Sequence, residues 1–287
     1  MDSRQRVEQH LKASANDADR VVAALLAGDA AAAATIAYRS SDSTAYSLAL
    51  ARCLSDASAA CGLLSAARWA QLDAGNAAPW LALASAAILR GDEGGFAEGL
   101  HRASLATAMD FGYGQMAGRV IAALTQTAGD TVWPPEAVNA NVLVAVIGQE
   151  AAVAIPAYSF SRGCSAAAVR DSNRRQLCQA TARMMLKHGR TLMDIGIGLD
   201  LAKRTGLPAN ELPLTRAELD AGMKWIVEVS PGPPEQALSC EALARLPQHF
   251  ASVAQRGEWG AIQEGMRLSQ AASAATAVTA VAAVAKP

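Results

Sequence analysis

Aromatic side chains make up only 5% of this 287-residue chain, and neither sign of charge dominates: 25 lysines and arginines meet 26 acids, for a formal net charge of -1. With so few rings, and β-branched residues never gathered into alternating runs, a strand-built protein is excluded, because sheets depend on branched and aromatic side chains. The balance of charge excludes a whole-chain field that would draw nucleic acid, a membrane surface or acidic ligands. Histidine is scarce as well. His10, His101, His188 and His249 are the whole set, and none stands at metal-ligand spacing from another. The five cysteines form no C-x-x-C pair, so neither a metal site nor a cofactor is expected.

Long apolar runs are missing too. "VLVAVIGQEAAVAIPAY", from Val142 to Tyr158, is interrupted by Gln149, Glu150 and Pro156, so it reads as a buried helix and not a bilayer span. "MDSRQRVEQHLKAS" has no apolar core region and no small-residue cleavage site, so no secretory signal is read there. The expected compartment is the cytoplasm for the sequence as it stands, or the periplasm or exterior if it is a trimmed mature form.

Alanine is what the chain has in excess, and alanine favours helices because it has no side-chain rotamer entropy to lose. Three stretches recur at a constant offset of 34 residues: "DSTAYSLAL" from Asp42, "NAAPWLALA" from Asn76 and "DFGYGQMAG" from Asp110. Each opens with Asp or Asn, whose side chain suits a helix N-cap. Tyr46, Trp80 and Gly114 follow four residues later, and the small-residue pairs beyond them allow a neighbouring helix to approach. "AGDA", "RGDE" and "AGDT" supply Gly28-Asp29, Gly91-Asp92 and Gly129-Asp130 as helix-end and helix-start signals. This period, with two helices per unit and the "LDAGNAAPW" join, resembles the tetratricopeptide repeat, chiefly over 43–110. That resemblance implies a right-handed solenoid of helical hairpins, with Trp80 wedged between successive pairs and a concave face that holds a peptide or protein. Ser47, Arg52, Ser85 and Arg90 are the residues expected to line it.

From Pro134 the pattern changes. Proline and glycine breaks leave helical segments at 136–154, 164–170, 173–203, 215–229 and 236–256, an irregular bundle in place of a repeat. The expected division is therefore 1–133 as a helical repeat region, 134–270 as an irregular helical domain and 271–287 as a loose alanine-rich tail. At about 100° per residue, Leu177, Thr181, Met184, Met185, His188 and Leu192 share one side of the 173–203 helix. Arg175, Arg183, Lys187 and Arg190 share another and form a candidate binding face. Between 158 and 207, nine cations meet three acids. Nucleic acid is nonetheless not the expected partner, because base-stacking aromatics are missing from that helix.

Cys53 and Cys61 would lie about 12 Å apart on one unbroken helix, too far for a disulfide. If "LSDAS" turns the chain, their sulfurs can meet. Cys164 and Cys178 stand likewise across the "RDSN" break. Two such staples with a lone Cys240 suit an extracytoplasmic protein, and five buried thiols suit a cytosolic one. "DIGIGLD" lacks the strand and third glycine of a dinucleotide loop, so Gly196 and Gly198 read as packing positions. The leading expectation is a non-catalytic protein- or peptide-binding protein. The alternatives are an enzyme with a pocket near Cys178, His188 and Asp194, and a disulfide-pinned accessory protein.

Overall fold

Aspartate and asparagine open the early helices where the 34-residue spacing places them. The computed structural model describes residues 3–54, 56, 58–127, 158–229 and 240–284. Its helices in order are α1 (Ser3–Lys12), α2 (Asp17–Leu26), α3 (Ala30–Arg39), α4 (Ser43–Cys53), α5 (Ala66–Leu72), α6 (Ala77–Leu89), α7 (Glu93–Ser104), α8 (Gln115–Thr127), α9 (Ser172–His188), α10 (Leu192–Thr205), α11 (Arg216–Val229) and α12 (Cys240–Val284). Short 3₁₀ turns include η1 (Cys61–Leu63), η2 (Tyr158–Cys164) and η3 (Ala168–Arg170). Apart from one isolated bridge between Asn76 and Ala108, the described residues contain no strand, and the fold is all-α. The segment expected at 136–154, the Gly129-Asp130 turn and the 133/134 boundary lie outside the described residues.

Gly28 and Gly91 adopt the left-handed conformation, with φ of 77° and 73°. Asp29 and Asp92 then accept backbone N–H bonds from Ala32 and Gly95 to open α3 and α7. Asp42 caps α4 through Thr44 and Ala45, and Asn76 caps α6 through Ala78. Asp110 departs from the pattern. Gly112 and Gly114 follow it at φ of 85° and 82°, outside the helical range, so α8 begins only at Gln115. The 34-residue spacing survives as a direct clamp: Asn76 Oδ1 accepts the Asp110 N–H at 2.9 Å, and Asn76 Nδ2 donates to the Asp110 carbonyl at 2.8 Å.

Tyr46 is fully buried, and its hydroxyl accepts the Ser65 N–H at 3.0 Å. Trp80 is not wedged between helix pairs. It is half-buried, donates from Nε1 to the Ala74 carbonyl at 3.2 Å and lies 5.9 Å beneath the Arg102 guanidinium. The neighbouring Leu81 takes the core position, with no exposure. Gly99 of α7 lets the hairpin close on this turn: an added Cβ would stand 2.9 Å from Ala84 Cβ and 3.0 Å from the Trp80 carbonyl.

The single helix expected over 173–203 is two helices. α9 ends at His188, and Thr191 opens α10 in a reciprocal capping box with Asp194, which satisfies two N–H groups that a continuous helix would have bonded internally. Leu192 thus does not extend the α9 face, and Arg190 leaves the basic side for the intervening loop. Gly198 packs against Leu186 and Met185 across the α9–α10 hairpin. Gly206 closes α10 at φ 71°. The last helix runs on to Val284, where the sequence predicts a loose tail, and bends at Gly257 (φ 77°).

The described buried residues gather into two hydrophobic cores. One gathers α1 to α4 with Trp69 of α5, the α8 residues Met116, Ala117 and Val120, and Phe250 and Val253 of α12. The other joins α6 and α7 to η2, α9 and α10, and takes Trp259 and Ile262 from α12. α8 packs on α1 and on α12, and α7 on α9. These long-range contacts close the helices on one another, which a purely local stack would not do. Cys53 is joined to Cys61, and Cys164 to Cys178, with Cα separations of 5.2 and 5.9 Å.

Candidate functional site

Small residues let α8 and α12 meet without filling the space beside them. A Cβ on Gly118 would stand 2.5 Å from Ala254 Cβ, and one on Gly114 2.7 Å from a Val253 methyl. Helices this close leave a groove where α1 and α2 flank them, with a volume of about 510 Å³. Its apolar lining is Leu11, Ile121, Ala122, Ala123, Ala251 and Ala254. Gln115, Gln126, Gln255 and His10 rise around it. Each carboxamide offers both donors and an acceptor. Of the charges present, Asp19 and Arg119 neutralise each other at 2.6 Å.

The groove wall is fixed from behind by Arg190. Its Nη2 donates to the Ala254 carbonyl at 3.2 Å, and its Nη1 lies 3.4 Å from Asp110 Oδ2. The Arg190 backbone is held as well: its N–H donates to Asp194 Oδ2 at 2.9 Å, and its carbonyl accepts the Trp259 N–H at 2.9 Å. Gly257 is required at this contact, since a Cβ there would come within 2.7 Å of Arg190 Cβ, on a backbone already at positive φ. Glu258 accepts the Leu192 N–H at 2.9 Å and so caps α10 from another helix.

Asp194 is buried, accepting from Tyr158 Oη at 2.6 Å and from the Thr191 N–H at 2.8 Å. Burial pushes its carboxyl above the ordinary range, against the pull of those donors. Burial likewise raises Asp110, where Arg190 opposes it, and Glu258, where the Asp194 charge adds to the effect. The Tyr158 phenol is pushed up by burial and by the Asp194 carboxylate. Rings bridge the same seam: Trp69 lies 6.4 Å from Phe111, and Phe111 5.3 Å from Tyr158. Every acid here accepts a backbone N–H, from Gly112 at Asp110, from Arg190 and Thr191 at Asp194 and from Leu192 at Glu258. No cluster of His, Cys, Asp or Glu suited to a metal occurs among the described residues.

The residues nominated from sequence are scattered. Ser47 is buried, donates to the Thr44 carbonyl at 3.0 Å and lines a small cleft of about 50 Å³ with Asp73, Asn76 and Asp110. Arg52 is half-buried beside Asp56, whose carboxyl sits below its ordinary value chiefly through bonds from Ser58. Ser85 does not line a concave face. It is buried under η2, where its hydroxyl accepts the Phe160 N–H at 3.0 Å. Arg90 is exposed at the end of α6. On α9, Arg175 and Lys187 are exposed, and Arg183 pairs with Glu211 at 2.6 Å. Cys178, in the disulfide with Cys164, is not a free thiol beside His188 and Asp194.

No protein-family model, curated protein or solved structure matches the chain. Among the described residues, no helix is long and apolar enough to cross a membrane. The groove residues Gln115, Gln126, Gln255 and His10 were not legible in the sequence. They come from three helices that meet only through long-range packing, and glutamine at an exposed helix position carries no signal of its own.

Proposed function

We propose that this chain is a non-catalytic, polypeptide-binding helical protein of an oxidising compartment, and that the groove between α8 and α12 holds an extended peptide. The observation that carries this reading is the groove's lining. Three carboxamides and an imidazole beside an alanine-rich apolar lining offer paired donors and acceptors to a peptide backbone, and the charged pair of the described lining, Asp19 with Arg119, neutralises itself. Its volume lies within the range of about 300–1,000 Å³ common to ligand pockets. The capped helical hairpins and the Asn76–Asp110 clamp at 34 residues support kinship with tetratricopeptide-type repeats, here closed by α8 and α12 rather than left open. Two disulfides support an extracytoplasmic setting, where such bonds form and persist.

The test is selection of peptides from a random display library against the full chain, followed by binding to Ala122→Trp, which fills the groove from an exposed position of α8. Selected peptides should lose affinity for this variant by about tenfold or more, the effect of blocking a central contact. Peptides that bind the variant as well as the parent would remove the groove from the reading.

A further inference from the structure

Of the four cations assigned to one side of a 173–203 helix, Arg190 lies in the loop after α9 and Arg183 pairs with Glu211, and a different set gathers at one corner. η2, η3, the first turns of α9 and the end of α10 converge at one corner of the second core. Arg174 Nη1 donates to the Gly163 carbonyl at 3.0 Å, Arg204 Nη1 to the Ser161 carbonyl at 3.3 Å and Gln179 Nε2 to the Thr205 carbonyl at 2.9 Å. The Cys164–Cys178 disulfide, both residues fully buried, fixes η2 onto α9 beneath them.

Arg162, Arg170, Arg175 and Lys203 are exposed here and form no ion pair among the described residues. The acids of the corner are already engaged. Asp171 caps α9 through the Arg174 N–H, Asp200 pairs with Arg204, and Glu93 pairs with Arg174. Arg174 is further held over the Phe96 ring at 4.5 Å. Arg175 forms no ion pair, although it lies in the first turn of α9, where the helix dipole disfavours a cation and Asp171 at the N-cap is the one acid beside it. The surface therefore carries four exposed cations that no acid pairs among the described residues. Among the described residues of this corner, Tyr158 and Phe160 are buried in the core and offer a nucleic acid no base-stacking platform.

We propose that this disulfide-pinned corner docks an acidic run of Asp and Glu side chains in a partner polypeptide. This rests on the reading of the chain as a polypeptide-binding protein. Its test uses residues and a probe separate from the groove, so the two can fail independently.

The experiment measures fluorescence anisotropy of a labelled glutamate-rich peptide with the full chain at low and physiological salt. The comparison ligands are the same peptide with Glu replaced by Gln and a single-stranded DNA of matching charge. The corner variant is Arg162→Glu, Arg175→Glu, Lys203→Glu. A control variant of equal charge change is Arg39→Glu, Arg68→Glu, Arg216→Glu, all exposed positions elsewhere. Circular dichroism and melting confirm that both are folded. Binding should be salt-sensitive and specific to the glutamate peptide, weaken by about tenfold or more in the corner variant, and change by less than about twofold in the control. Absence of salt-sensitive binding, or equal loss in both variants, would overturn the assignment. Tighter binding of the DNA than of the peptide would overturn the choice of a polypeptide partner.

Discussion

Tyr46 and Trp80 stand 34 residues apart at the same point of a recurring pattern, yet one is sealed in the first core and the other lies half-open at the edge of the second. The difference comes from what each hairpin meets. α4 is covered by neighbours on several sides, and the Tyr46 hydroxyl reaches the Ser65 backbone. α6 meets α7 closely at Ala84 and Gly99, with Leu81 in the core, and the indole lies half-exposed under Arg102. A repeated sequence position thus fixes a helix start, while the side chain's burial is decided by the elements that arrive later.

Three measurements bear on that contrast, beginning with the largest effect. Tyr46→Ala should cost about 3–5 kcal/mol in chemical denaturation, as for a large aromatic removed from a core, with the Ser65 N–H losing its partner in addition. Trp80→Ala should cost only about 1 kcal/mol, since the ring is half-exposed and its cation–π contact with Arg102 contributes about 0.5–1 kcal/mol at such a site. Equal losses for the two would mean that the early helices pack as equivalent repeats after all.

The smallest effect concerns the seam between the regions. Burial raises the Glu258 carboxyl, so the folded chain binds its proton at a pH where the unfolded chain does not. That contribution favours the fold fully below the ordinary carboxylate pKa of about 4.3 and is lost as pH rises through the raised value. Glu258→Gln retains an acceptor for the Leu192 N–H without the titration. The melting temperature of the parent should therefore gain on that of the variant as pH falls from neutrality, and parallel curves across the range would rule out Glu258 as the source.

What was legible in the sequence was local. Asp29, Asp42, Asn76 and Asp92 cap helices because their side chains reach N–H groups two or three residues on, a relation that neighbours alone decide. The cysteine pairs were legible as alternatives, because a turn between them is a short-range event. The break at Gly189–Thr191 was not, since the periodic apolar side of 173–203 continues through it. Asp194 completes a capping box there, and the contacts that hold the loop open come from Gly257, Glu258 and Trp259, far along the chain. The groove and the basic corner were hidden for the same reason: each is assembled from segments that sequence order keeps apart.

α12 has a further consequence through its position. Phe250 and Val253 complete one core, and Trp259 and Ile262 complete the other, so both interiors wait for the same late stretch of polypeptide. Gly257, where this helix bends, lies between these two pairs, so a change of its angle would reach both interiors at once.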